Sequence, residues 1–155
     1  MKLLLAKRTR LVTVTLVAGC LVLIGALAPD SVVLRRKLME SNNSVVAEAL
    51  NKAIKEKNFA EIEGKCDVIL ENMDKVLDFF PAGSLSETSR AKPEIWERWG
   101  EFSKHPPNVK KAARELAAAA RAGDEEAVKV RFKALGQACK GCHESFRTPK
   151  PKQGP

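Results

Sequence analysis

The 155-residue chain has no tyrosine, only two tryptophans, two histidines and four cysteines. Each shortage excludes something. Runs of Val or Ile alternating with polar residues are missing, so the period-2 signal of a strand is absent. Abundant Ala, Leu, Lys, Arg and Glu predict an all-α protein instead, and the length suits one domain. Cys20, Cys66 and His105 form no second ligand pair, which leaves a structural zinc site short of its roughly four N or S ligands. No nucleophile–base pair and no Gly-rich phosphate loop is found, so no catalysis is expected and the chain reads as a non-enzyme. No basic stripe is interleaved with aromatics, which argues against nucleic-acid binding. The formal charge of +8 does not revive that idea. Lys2, Lys7, Arg8 and Arg10 precede the first apolar run, and residues 29–155 carry 23 basic against 19 acidic groups.

What is present is concentrated near the C-terminus, in CKGCH at residues 139–143. Two cysteines three apart followed at once by a histidine is the attachment signature of a c-type haem. On a helix, Cys139, Cys142 and His143 are related by i, i+3 and i, i+4, so all three project from one face. The thiols can then bond the two vinyl groups while the imidazole of His143 reaches the iron. A thioredoxin-like pair would be expected near a βαβ pattern, and no β-rich segment exists. Two haem propionates would offset about half of the charge of residues 29–155.

Taken in order, MKLLLAKRTR is a positive n-region, and residues 11–28 are an uncharged apolar run of 18. This reads as a signal peptide or an N-terminal membrane anchor over residues 1–28. Three fates fit: an uncleaved anchor in the inner membrane, cleavage near Ala28, or lipidation of Cys20 in VAGC. All three place the folded part outside the cytoplasm, in the periplasm, where c-type haem is joined to protein in bacteria.

Residues 29–148 then show four segments with apolar residues at alternating steps of four and three, predicting an antiparallel four-helix bundle. The first, about 30–57, has the seam Arg35, Met39, Asn42, Val46, Ala49 and Ala53. The second, about 59–80, has Ile62, Cys66, Ile69, Met73, Val76 and Phe80. A Ser-, Gly- and Thr-rich loop runs to Ala91, and Pro93 opens a third helix with the seam Ile95, Trp99, Phe102, Val109, Ala113, Leu116 and Ala120. Pro106-Pro107 interrupts it with the register unbroken, predicting a kink or one unwound turn. Gly123 and Asp124 read as a stop and an N-cap. The fourth helix has Val128, Phe132, Leu135, Cys139, Cys142 and Phe146, which puts the haem inside the bundle. Residues 149–155 read as a disordered basic tail.

Cys66 and Met73 are read as core packing, and His105, at the helix interruption, as a surface residue. Met39 differs because its seam carries Arg35 and Asn42, which an apolar bundle would not bury without partners. A haem could supply them: Arg35 can pair with a propionate, and the Met39 thioether can face the iron, the alternative being an adaptable core methionine.

These features resemble the class II c-type cytochromes of the cytochrome c′ family. The resemblance covers about residues 30–148, through LRRKLMESN, AKPEIWERWGEF and GQACKGCHESFR. It implies one haem c held by Cys139 and Cys142, His143 as proximal ligand, and Arg147 on the same side of the haem. The family has a low-spin branch with a methionine from the first helix as sixth ligand, and Met39 matches that pattern. The expectation is therefore a periplasmic electron carrier with His143/Met39 ligation, which raises the potential. Its partners would be a redox protein donor and acceptor, and a homodimer is open. The alternative is a five-coordinate cytochrome c′ that binds nitric oxide or carbon monoxide. A third reading is a helical protein that its haem mainly staples together.

Overall fold

The computed structural model describes residues 30–149. The expectations for residues 1–28, Cys20 included, and nearly all of those for the 149–155 tail lie outside the described residues. Among the described residues no helix is long and apolar enough to cross a membrane.

The helices are α1 (Ser31–Ser44), a π segment (Val45–Leu50), α2 (Asn51–Lys55), α3 (Phe59–Lys75), a 3₁₀ turn (Leu77–Phe79), α4 (Glu94–Glu97), α5 (Trp99–Phe102), α6 (His105–Arg121) and α7 (Glu125–Phe146). Together they form a four-helix bundle whose corners are α1 to α2, α3, α6 and α7. Helix α7 packs chiefly on α6, and α6 on α3, while α1 packs on α3 and the 3₁₀ turn. Side-chain caps open three of these helices. Asp30 accepts from Val32 N, Asn58 from Glu61 N, and Asp124 from Ala127 N, each satisfying a donor that the helix cannot. At the α6–α7 corner, Gly123 adopts φ 68°. Its N–H and that of Asp124 return to the carbonyls of Ala120 and Ala119 at 2.9 and 3.1 Å, which closes α6 in a Schellman-type turn.

The second seam is buried throughout, from Ile62 in α3 to Phe80 just past the 3₁₀ turn. The first seam is corrected by the π segment, which inserts an extra residue into the helical period. Leu50 and Ala53 are fully buried and Leu38 nearly so, while Met39, Val46 and Ala49 are only partly covered. The third segment is also corrected. Its breaks fall at Arg98 (φ −117°, ψ 42°) and at Ser103–Lys104, and Pro106-Pro107 lies in the first turn of α6. That is where proline is tolerated, because those N–H groups have no intrahelical partner. The break at Arg98 turns Trp99 outward, so it is 39% exposed and not a core residue.

Candidate haem site

CKGCH lies in the last two turns of α7. Cys139, Cys142 and His143 are half-buried on its inner face, with Phe132 and Ala138, while Val128, Leu135 and Phe146 on the same face are fully covered. The strip around the motif is thus apolar yet incompletely roofed, and α7 has little direct contact with α1.

Burial sets the protonation of all three groups. It pushes the Cys139 thiol up and that of Cys142 up to about 11, the latter helped by Cys139 and opposed by Arg147. Both are neutral thiols at neutral pH, able to add S–H across a vinyl group. His143 is pushed down to about 4 by burial, then by the charges of Arg147 and Arg90. Its imidazole is therefore neutral with a lone pair available, the form that ligates iron. Two thiols and one neutral imidazole on a single half-roofed helical face fit a covalently held haem. Among the described residues there is no His, Cys, Asp and Glu cluster that could hold a metal ion without it.

Arg147 is exposed, and its backbone N–H donates to the His143 carbonyl at 3.2 Å. It also pairs across an isolated bridge with Ala91. Around that bridge the long loop is strapped to the end of α7. Lys92 N–H donates to Phe146 O at 3.0 Å and Thr148 N–H to Arg90 O at 2.8 Å. Lys92 Nζ donates to the carbonyls of Glu144 and Ser145. This strap brings Arg90 beside His143, a neighbour that sequence reasoning missed. Nothing local to Arg90 announces it, since the pairing joins segments some 58 residues apart.

Arg35 is held by the loop between the 3₁₀ turn and α4. It is 4% exposed, and its two terminal nitrogens donate to Ser84 O (2.6 Å), Ser89 Oγ (2.9 Å), Ser84 Oγ (3.0 Å) and Phe79 O (3.4 Å). The guanidinium also lies 4.8 Å from the Phe80 ring centroid. Polar groups of the loop thus supply the partners that a haem was expected to supply. Asn42 likewise has a protein partner, accepting from Asn72 Nδ2 at 2.8 Å. Met39 is half-buried and packs against the core from α1. His105 corrects the surface reading. It is half-buried, its ring 5.6 Å from that of Phe146, and its Cε1 is 4.0 Å from where a Cβ on Gly141 would stand.

The family model described as Cytochrome C′ matches residues 30–147. Cytochrome c′ of Pararhodospirillum photometricum is 36% identical over 89 residues, which are 57% of this chain and 71% of that protein. Cytochrome c-554 of Cereibacter sphaeroides is 34% identical over 93 residues, 57% of this chain and 60% of its own. Among solved structures, cytochrome c′ from Thermochromatium tepidum superposes with a TM-score of 0.71 at 25% identity, covering 79% of this chain and 98% of that one. A cytochrome c prime mutant from Alcaligenes xylosoxidans, solved as its nitric oxide complex, gives a TM-score of 0.69 at 25% identity, covering 78% and 95%. The CKGCH-bearing bundle thus belongs to the cytochrome c′ family and binds one covalent haem c.

Proposed function

We propose that this protein binds nitric oxide or carbon monoxide at the iron of the haem that Cys139, Cys142 and His143 would hold. The bound group supplies an iron centre that alternates between ferric and ferrous and takes a diatomic ligand. The chain supplies everything that orients it. Cys139 and Cys142 tether it to α7, and His143, kept neutral by burial and two arginines, donates its lone pair from the same face. Arg147 and Arg90 hold positive charge on the His143 side. Met39, an apolar, adaptable side chain packed against the core from α1, would leave the iron open to a diatomic ligand. The role is binding and electron exchange, not enzymatic turnover. The observation that supports this reading most is the match over the whole bundle to a cytochrome c′ solved with nitric oxide bound.

The reading includes export to the periplasm by residues 1–28 and redox partners that reduce the iron. His143/Met39 ligation with electron carriage as the main role is the second reading, and the half-buried place of Met39 on the inward side of α1 favours it. Titrating the ferrous protein with carbon monoxide separates the two. We expect saturation at one gas molecule per chain, fast binding, and little change in Met39→Leu. Slow or weak binding that Met39→Leu makes fast would establish Met39 as the sixth ligand.

A further inference from the structure

A continuous stack of aromatic rings leads from the helix bearing His143 to the surface. Phe146, one turn beyond the motif, meets Phe102 edge-on with centroids 5.4 Å apart. Phe102 in turn meets Trp99 at 5.5 Å and Phe80 at 4.8 Å, and Phe80 meets Trp96 at 6.5 Å. The stack ends in an open cleft of about 450 Å³ whose walls include Asp78, Phe80, Pro81, Trp96 and Trp99. Its geometry is fixed before anything binds. The Trp96 indole N–H donates to the carbonyls of Phe80 and Pro81 at 3.2 and 3.0 Å, and Phe80 is backed by Arg35. Trp99 is the outer wall, one of the few large apolar side chains left exposed.

The lining selects for positive charge. Indole faces attract ammonium and guanidinium groups, and among the described residues the Asp78 carboxylate has no ion-pair partner. Arg98 is paired with Glu101, and Arg35 is buried and held by loop oxygens. Asp78 thus adds a carboxylate to a lining that also holds Trp96 and Trp99, a place where a cationic side chain can dock.

We propose that this cleft receives lysine or arginine side chains of a one-electron redox partner protein, and that the Trp99–Phe102–Phe146 stack conducts the electron between that partner and the haem on α7. The partner loses one electron and ferric iron becomes ferrous, with no bond made or broken. The inference rests on haem attachment at Cys139 and Cys142 and not on which gas the iron takes.

Methyl viologen, a flat aromatic cation, serves as the probe on the full-length haem-loaded protein. Calorimetry with the oxidised dication should show saturable binding. Trp99→Ala should weaken it about two- to five-fold, the range of one exposed cation–π contact, and Asp78→Asn, a surface change that leaves the stack whole, should weaken it too. In stopped flow, reduction by the viologen radical cation should slow in both variants, while reduction by dithionite, an anionic donor with no use for the cleft, stays at the unmutated rate. The proposal is overturned if viologen does not bind, or if neither variant separates the two donors.

Discussion

His143 shows burial and charge acting in one direction. Both hold the imidazole neutral, so a proton cannot compete with iron near neutral pH. The group's folded pKa, about 4, lies below its ordinary value of 6.5. Its contribution to stability is therefore complete above pH 6.5 and is lost as pH falls towards 4. The absorption spectrum of the ferric protein should stay constant from pH 7 to about 5. Cys66 has the opposite sign. Burial first, then Asp67 and Glu63, push its thiol up to about 12, so stability from the neutral thiol is present below about pH 8.5 and lost only as pH rises through 12. At pH 8 its thiolate fraction is about one in ten thousand. Iodoacetamide should leave Cys66 unmodified in the native protein and label it after unfolding, as read by peptide mass spectrometry. The attachment residues were legible because CKGCH is contiguous and its spacing states its geometry. Arg35 was legible as a buried cation but not as to its partner, because Ser84 and Ser89 sit in a loop whose path no periodicity encodes.

Among the elements, α3 and α7 follow their apolar period faithfully, and their seams could be read directly. The α1–π–α2 segment could not, since one inserted residue passes the buried positions from one row to the next while the sequence keeps a plausible seven-residue pattern. The third segment misled for a related reason. Two prolines looked like an interruption, yet they begin α6, and the true breaks carry no Gly or Pro. The loop between the 3₁₀ turn and α4 is gripped at both ends, by Arg35 and by the end of α7. Arg35→Ala removes four hydrogen bonds from a buried charged group and should cost about 2–4 kcal/mol, seen as a lower denaturant midpoint, with Arg35→Lys between. Asp124→Ala removes the N-cap of α7 and should cost about 1 kcal/mol, read from the same midpoint.

At the scale of the whole molecule, a small bundle carries its haem-attachment residues half-buried on the inner face of one helix. Replacing Cys139 and Cys142 together with Ala should yield protein from which acid–acetone extracts any haem, and whose helical circular dichroism melts lower than that of the loaded form. The fold class and the tethering residues were accessible from the sequence because both depend on local spacing. Whether Met39 closes the sixth position depends on how α1 faces α7 across the bundle, a long-range relation that the pattern in RRKLM does not contain. The absorption spectrum of the purified ferrous protein, recorded with no ligand added, decides it. An open position predicts high-spin iron with broad, unsplit visible bands in the unmutated protein and in Met39→Leu alike. Sharp, split low-spin bands that Met39→Leu converts to the broad form would contradict this account and make Met39 the sixth ligand.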